Sequence, residues 1–207
     1  MARYGQQHKD ATRRRIIEAA GRRLKGDGID GSGIATLMAD AGLTNGAFYA
    51  HFASKDDLVA SVVEQELRLQ AATLRGLAPG VTGLEQLVHA YLSPEHRDHR
   101  DAGCPSAALL DEIGRSAGAT KDAYTAGAAT FIDEIAARMA PADPESAHGR
   151  ALVLFTMIVG TLQLSRAVSD PVLSDDALAQ GLRHGLTFLG VEHDADAQHD
   201  QPTGEQR

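Results

Sequence analysis

The sequence predicts an all-α protein of about nine helices, with a small three-helix unit leading into a larger helical body. Three observations predict it. Apolar residues recur three and four apart in almost every segment. Clusters of glycine and proline separate those segments. No alternating strand pattern, internal repeat or glycine-rich phosphate loop interrupts them.

Taken in order, residues 1–8 are polar and read as a flexible lead. A first helix is expected from about Asp10 to Leu24, with Ile16, Ile17, Ala20 and Leu24 on its inner side. Gly26, Asp27, Gly28 and Gly31 break it, and Ser32 is placed to cap a second helix that runs to Ala41. Gly42 can then take the left-handed conformation that ends a helix without a Cβ penalty. Thr44 is positioned to cap a short third helix through its hydroxyl. Leu43 and Phe48 are spaced as a hydrophobic staple, and Phe48 and Phe52 lie four apart on the core side. Asn45, Gly46 and Tyr49 are left facing outward. Ser54 and Asp57 form a second capping pair, opening a fourth helix to about Leu74 that is too long for the first unit alone. Helix, tight turn and exposed short helix make a helix-turn-helix, whose second helix is suited to a DNA major groove.

The body follows the same logic. Gly76, Pro79, Gly80 and Gly83 mark a break before a fifth helix carrying Leu84, Leu87, Val88, Tyr91 and Leu92. Residues 94–103 read as a polar loop. Cys104 and Pro105 open a sixth helix, with proline in the tolerated first turn. A seventh carries Tyr124, Ala128, Phe131, Ile132, Ile135 and Met139. The eighth, about Glu145 to Val168, is apolar nearly all round and needs neighbours on both sides. The ninth, Asp175 to Leu189, has Gly181 and Gly185 four apart. Glycine inside a helix costs roughly 1 kcal/mol against alanine, so this pair implies close helix–helix approach. The expected organisation is 1–55 for the helix-turn-helix domain, 56–190 for the body, and 191–207 for a disordered tail.

Composition bounds the function. With 207 residues and 43% apolar content the chain can bury a real core. A single cysteine allows no internal disulfide; with no signal peptide, the cytoplasm is the expected compartment. The longest apolar run, Ala151 to Leu162, is too short to span a bilayer, so no membrane partner is expected. The net charge of −8 argues against nucleic acid until its distribution is considered. Residues 1–55 hold nine Lys/Arg against five Asp/Glu, and the remainder eleven against twenty-three. A basic unit on an acidic body can bind phosphates locally while limiting non-specific adhesion.

The segment from Thr12 to Leu58 closely resembles the DNA-binding domain of the tetracycline-repressor (TetR) family. The resemblance rests on Thr12-Arg13, Ile16, Ala19-Ala20, Leu24, Gly28, Ile34, Ala41-Gly42-Leu43-Thr44, Gly46, Phe48-Tyr49, His51-Phe52 and Ser54-Lys55. It covers about a quarter of the chain. Gly33, where the family often has a hydroxyl residue, and Met38, where alanine is common, depart from the pattern. The resemblance implies a homodimeric transcriptional regulator, usually a repressor, that binds a palindromic double-stranded DNA operator. It also implies a C-terminal ligand-binding and dimerisation domain that responds to a small-molecule effector. The last two helices are the expected dimer surface.

On this reading Asn45 is the base reader, since asparagine can bond bidentately to an adenine edge. Thr44, Tyr49, His51 and Lys55 are carried over from matching family positions as contacts to the DNA backbone, and Gly46 leaves room for the groove wall. The expected pocket draws on His89, Tyr91, Leu109, Tyr124, Phe131, Met157 and Thr161, for each of which taken singly a plain core role is the better reading. Cys104, at a helix start near Arg97 and Arg100, gives an alternative reading as a redox or electrophile sensor. His96 and His99 with Asp98 and Asp101 look like a metal fragment but fit a solvated loop better, so no metal or cofactor is expected. No convergent nucleophile, base and orienting group is present, and an enzyme is not expected. A helical bundle serving interaction alone would leave the helix-turn-helix and its basic charge unexplained.

Overall fold

The computed structural model describes residues 2–116 and 118–191, the first four as backbone only. Among them no strand occurs. The α-helices are α1 (Ala2–Asp27), α2 (Ile34–Asp40), α3 (Lys55–Gly76), α4 (Gly80–Tyr91), α5 (Pro94–Asp98), α6 (Pro105–Arg115), α7 (Gly118–Met139), α8 (Pro144–Ala167) and α9 (Pro171–Phe188). A six-residue 3-10 helix, Asn45–Ala50, lies between α2 and α3, and a second 3-10 turn, Arg100–Ala102, precedes α6.

Two apolar clusters organise the chain. The first gathers Ile16, Leu24, Leu37, Met38, Phe48, Phe52 and Leu58 around the first half of α3, and takes in Leu109 and Ile113 from α6. The second fills the space among α4, α7, α8 and α9, with Phe131 and Phe155 edge to face at 5.4 Å. Helix α3 contributes to both, from Leu58 through Leu67 in the first to Ala71 and Leu74 in the second. The close approach expected at the two glycines of α9 is present. A Cβ on Gly181 would come within 2.4 Å of Thr161 on α8, and one on Gly185 within 3.0 Å of Val88 on α4.

Several local expectations are corrected. Helix α1 begins at Ala2 rather than near Asp10. From Gln6 on, its first buried residue is Ile16, so the stretch before it carries no apolar period to read. The helix stops where Gly28 takes φ +83°. Gly33, not Ser32, occupies the N-cap of α2; Ser32 is fully buried and donates its hydroxyl to the Gly28 carbonyl at 2.7 Å. Thr44 stands at the N-cap of the 3-10 helix without a side-chain bond. The polar stretch 94–103 is not a loop. Ser93 Oγ accepts from the His96 N–H at 3.1 Å, and Pro94 supplies a preset first turn. By contrast Ser54 caps α3 as expected, accepting from the Asp57 N–H at 3.1 Å, while the Asp57 carboxylate takes the Ala53 N–H at 2.9 Å. The tail expected from 191 lies outside the described residues apart from Val191.

Helix α8 is long and apolar enough to cross a bilayer by length and composition. It instead packs one side against α6, α7 and α9. Its other side is exposed along Gly149, Val153, Thr156, Gly160 and Leu164, a stripe at helical spacing. The neighbours that its all-round apolar character calls for are therefore present on one flank only.

Candidate nucleic-acid interface and effector cavity

The short helix between α2 and α3 is held from below and open above. Gly42, at φ +67°, turns the chain sharply out of α2, and Leu43 N–H returns to the Met38 carbonyl at 2.9 Å. Phe48 is fully buried, 5.7 Å from Phe52, and Leu43 packs on the same cluster. These anchors leave Thr44, Asn45 and Gly46 exposed, and Tyr49 72% exposed with its ring edge-on to Phe48. Nothing lies within 4 Å of the position a Gly46 Cβ would take.

His51 and Lys55 behave differently. His51 is half-buried and its Nδ1 has no partner. Burial first, then Lys9 and Arg13, lower its pKa, so the ring is neutral near pH 7. Lys55 is also half-buried, and its ammonium donates to the Ile29 carbonyl at 2.5 Å. That bond ties the start of α3 to the α1–α2 turn and leaves two further N–H donors.

Much of the basic charge on α1 is engaged inside the protein, which the sequence did not reveal. Arg13 donates to Ser61 Oγ at 2.8 Å with its guanidinium 4.7 Å above the Phe52 ring. Arg23 is forked onto Asp40 and also reaches Asp27. Lys25, only 4% exposed, pairs with Glu66 of α3 at 2.6 Å and donates to the Gly103 carbonyl at 3.1 Å. Lys9, Arg14, Arg15 and Arg22 remain exposed. Farther along, Glu112 of α6 accepts the N–H groups of Ile29 and Asp30 at 2.7 and 3.1 Å. The α1–α2 turn is thus gripped by α6, and the end of α1 by α3 and the chain leading into α6.

A cleft of about 460 Å³ opens beside that grip. Glu66, Leu69, Gln70, Leu74 and Leu77 of α3 and its end, Leu87 and Tyr91 of α4, and His96, Gly103 and Cys104 contribute to its walls. Of the pocket residues expected from sequence, only Tyr91 is there. His89 is exposed. Leu109 belongs to the first apolar cluster, and Phe131 to the second. Tyr124 donates to Ser106 Oγ at 3.1 Å, Met157 packs toward Gly185, and Thr161 toward Gly181. The expected set follows helical stripes, and those stripes mark what is packed rather than what is left open.

Of the two arginines expected beside Cys104, Arg100 is exposed and Arg97 is directed elsewhere. Arg97 bonds Asp98, Ser174 and Asp175. The cysteine is 6% exposed at the N-cap of α6, its thiol donating to Gln70 Oε1 at 3.3 Å. The two nearby histidines are not a matched pair. His99 is exposed, whereas His96 uses both ring nitrogens, Nδ1 on the Tyr91 carbonyl at 2.8 Å and Nε2 for the Cys104 N–H at 3.0 Å.

Residues 16–62 match the family model described as bacterial regulatory proteins, tetR family. In sequence, the curated proteins offer no match. In structure, the chain is similar to the reduced form of NemR from E. coli, with 18% identity, a TM-score of 0.72, and coverage of 86% of this chain and 96% of that one. A TetR-family transcriptional regulator from Agrobacterium tumefaciens gives 19%, 0.67, 85% and 98%. FadR from Bacillus subtilis, in complex with stearoyl-CoA, gives 15%, 0.59, 86% and 98%. At these identities the likeness carries the fold, and the family match carries the DNA-binding unit.

Proposed function

We propose that this chain, which carries the helix-turn-helix of the tetR family of bacterial regulatory proteins on a fold shared with transcriptional regulators of that family, is a dimeric repressor released from a palindromic operator by a small molecule. The observation that carries the DNA-binding part is the short helix Asn45–Ala50, anchored by Phe48 and open to solvent at Asn45, Gly46 and Tyr49. In a major groove Asn45 reads a base edge, while Thr44 and Tyr49 meet the backbone. Lys55 adds its remaining donors to a phosphate, and His51 contributes as a neutral ring. On this reading residues 1–55 form the DNA-binding domain and 56–190 the effector and dimerisation domain, with cytoplasmic access to the operator.

The dimer reading rests on the exposed stripe of α8, joined by Val172 and Leu173, both exposed at the start of α9. Two such faces meeting about a two-fold axis would supply the neighbours that α8 lacks. The effector reading rests on the 460 Å³ cleft, because its wall shares Glu66 and Gly103 with buried Lys25 of α1. A ligand that favours one position of this wall shifts α1, and hence the spacing of the two short helices, by population shift.

Fluorescence anisotropy on the duplex upstream of the protein's own coding region tests the proposal. Saturable binding that weakens on Asn45→Ala with the fold intact supports it; equal affinity for unrelated DNA of the same length defeats it. A second reading, sensing through Cys104, is favoured by one observation: the thiol lines that same cleft. Operator release on mild oxidation, abolished in Cys104→Ser, would establish it.

A further inference from the structure

A single peptide group, between residues 103 and 104, is held from both sides. Its carbonyl, that of Gly103, accepts from the Lys25 ammonium of α1 at 3.1 Å. Its N–H, that of Cys104, donates to His96 Nε2 at 3.0 Å. On the far side of the ring, His96 Nδ1 lies 2.8 Å from the carbonyl of Tyr91, the last residue of α4. A carbonyl only accepts and an N–H only donates, so the partners assign the neutral Nδ1–H tautomer. One line of hydrogen bonds therefore runs from Lys25 through the peptide and the imidazole to α4. All its donors point the same way, an alignment that strengthens each bond. There is little slack in it: a Cβ on Gly103 would stand 2.5 Å from His96 Nε2, so the ring rests on the backbone it holds.

An imidazolium cannot complete this line. Its Nε2 would carry a proton and meet the Cys104 N–H donor to donor. The surroundings do not compensate the added charge. Lys25 of α1 and Arg166 of α8 are both cations, and Arg166 donates to the His96 and Arg97 carbonyls rather than to a carboxylate. Glu66 of α3 is taken by Lys25, and on the ring's own helix Asp98 is taken by Arg97 while Glu95 turns to His99. Arg100 and Asp101 of the 3-10 turn are exposed. Tyr91 of α4 presents a hydroxyl that burial keeps protonated, and Cys104 of α6 a thiol that donates to Gln70. Burial first, then Arg166 and Lys25, accordingly lower the pKa of His96 below its ordinary value.

We propose that His96 is a proton-operated latch on α1: the neutral ring keeps the 103–104 peptide turned toward Lys25, and the protonated ring drives that peptide away and loosens the end of α1 from the body. It is a positioning residue, acting on Lys25 through the peptide between them. The switch needs no ligand in the cleft and does not depend on what the short helix Asn45–Ala50 binds.

Nuclear magnetic resonance on the full 15N-labelled chain, from about pH 7.5 down to about pH 5, tests it. Ring spectra at the upper end should show His96 as the Nδ1–H tautomer. On acidification the amide protection of Cys104 and of residues 19–27, corrected for intrinsic exchange at each pH, should fall about tenfold while that of α7 holds. The midpoint of that fall should match the His96 ring titration. His96→Gln offers an amide oxygen to the Cys104 N–H and an amide N–H to the Tyr91 carbonyl without titrating, and its protection should be flat with pH. If glutamine does not restore the fold, the match of the two wild-type midpoints decides alone. An Nε2–H ring at pH 7.5, constant α1 protection through the ring titration, or the same fall in His96→Gln overturns the proposal. Operator affinity is read separately: a chain that binds no operator at any pH strikes the function proposed above and leaves the latch to the exchange data.

Discussion

The two apolar clusters are built to different tolerances. In the first, around Phe48, the unpartnered buried polar atoms among the described residues are His51 Nδ1 and, at the start of α7 beside Ala123 and Tyr124 that pack on this cluster, Thr120 Oγ1. Lys25, Arg13, Arg23 and Lys55 are each bonded within the protein. Around the second, Tyr91 Oη, Arg138 Nε and Arg166 Nη1 are buried without partners, and a 460 Å³ cleft lies along its edge. A filled core has one good arrangement. A core with unused donors and open volume can have two of similar energy, which is what a ligand needs if it is to choose between them. On the proposed function the first unit would present a fixed surface, and the second would supply the freedom to move it.

The largest expected effect tests whether that surface acts in pairs. Leu164→Glu, in the exposed stripe of α8, should convert a dimer to monomers in sedimentation and reduce operator affinity roughly 10²-fold or more, because each monomer engages one half-site alone. An unchanged sedimentation coefficient would place the interface elsewhere. Next, Phe48→Ala removes a fully buried ring from the tighter core, where little can relax; a loss of about 3–5 kcal/mol in urea unfolding is expected. A loss below about 1 kcal/mol would contradict the contrast between the two cores.

The joint between the regions comes third. Glu66→Ala strands Lys25 in a buried position, and a destabilisation of roughly 3 kcal/mol is expected. Lys25→Met with Glu66→Leu should recover most of it while uncoupling effector binding from DNA release, read as an operator affinity that no longer responds to ligand. At the surface, Asn45→Ala should cost about 1–3 kcal/mol of discrimination at one base position with unchanged stability. Arg14→Ala and Arg15→Ala should instead flatten the salt dependence on all sequences, by about 0.9 in slope for each phosphate no longer neutralised.

The smallest effect compares the regions through their histidines. His51 and His96 both have folded pKa values below the ordinary 6.5. At pH below 6.5 the unfolded chain binds protons that the folded chain refuses, so stability is full above that value and falls as the pH is lowered through it. Urea midpoints at pH 7.5 and 5.5 should show the fall. His51→Gln and His96→Gln should each remove part of the slope, and a slope untouched in both would assign it to other groups.

How much is legible follows from range along the chain. The turn at Gly42, the staple of Leu43 on Phe48, the Ser54 cap and the outward faces of Asn45 and Tyr49 are settled by residues a few positions apart, and their chemistry is written locally. The length of α1 is not, because the stretch before Ile16 has no apolar rhythm. Residues 94–103 read as a loop only if their polarity is weighed above the Ser93–Pro94 cap, and the cap prevails. The cleft escapes for a different reason. Its walls come from α3, α4 and the entry to α6, and the sequence shows which residues avoid water but not where packing leaves a gap.

Local rules were therefore enough for the helical class, the helix-turn-helix and the outward placement of Asn45, Gly46 and Tyr49, because periodicity and capping act within one or two turns. It took the folded arrangement to establish which positive charges are free, that Lys25 is buried against Glu66 forty-one residues away, and that Tyr91 rather than Phe131 borders the open volume. Those outcomes depend on which distant side chains meet, and on the volume left after they have.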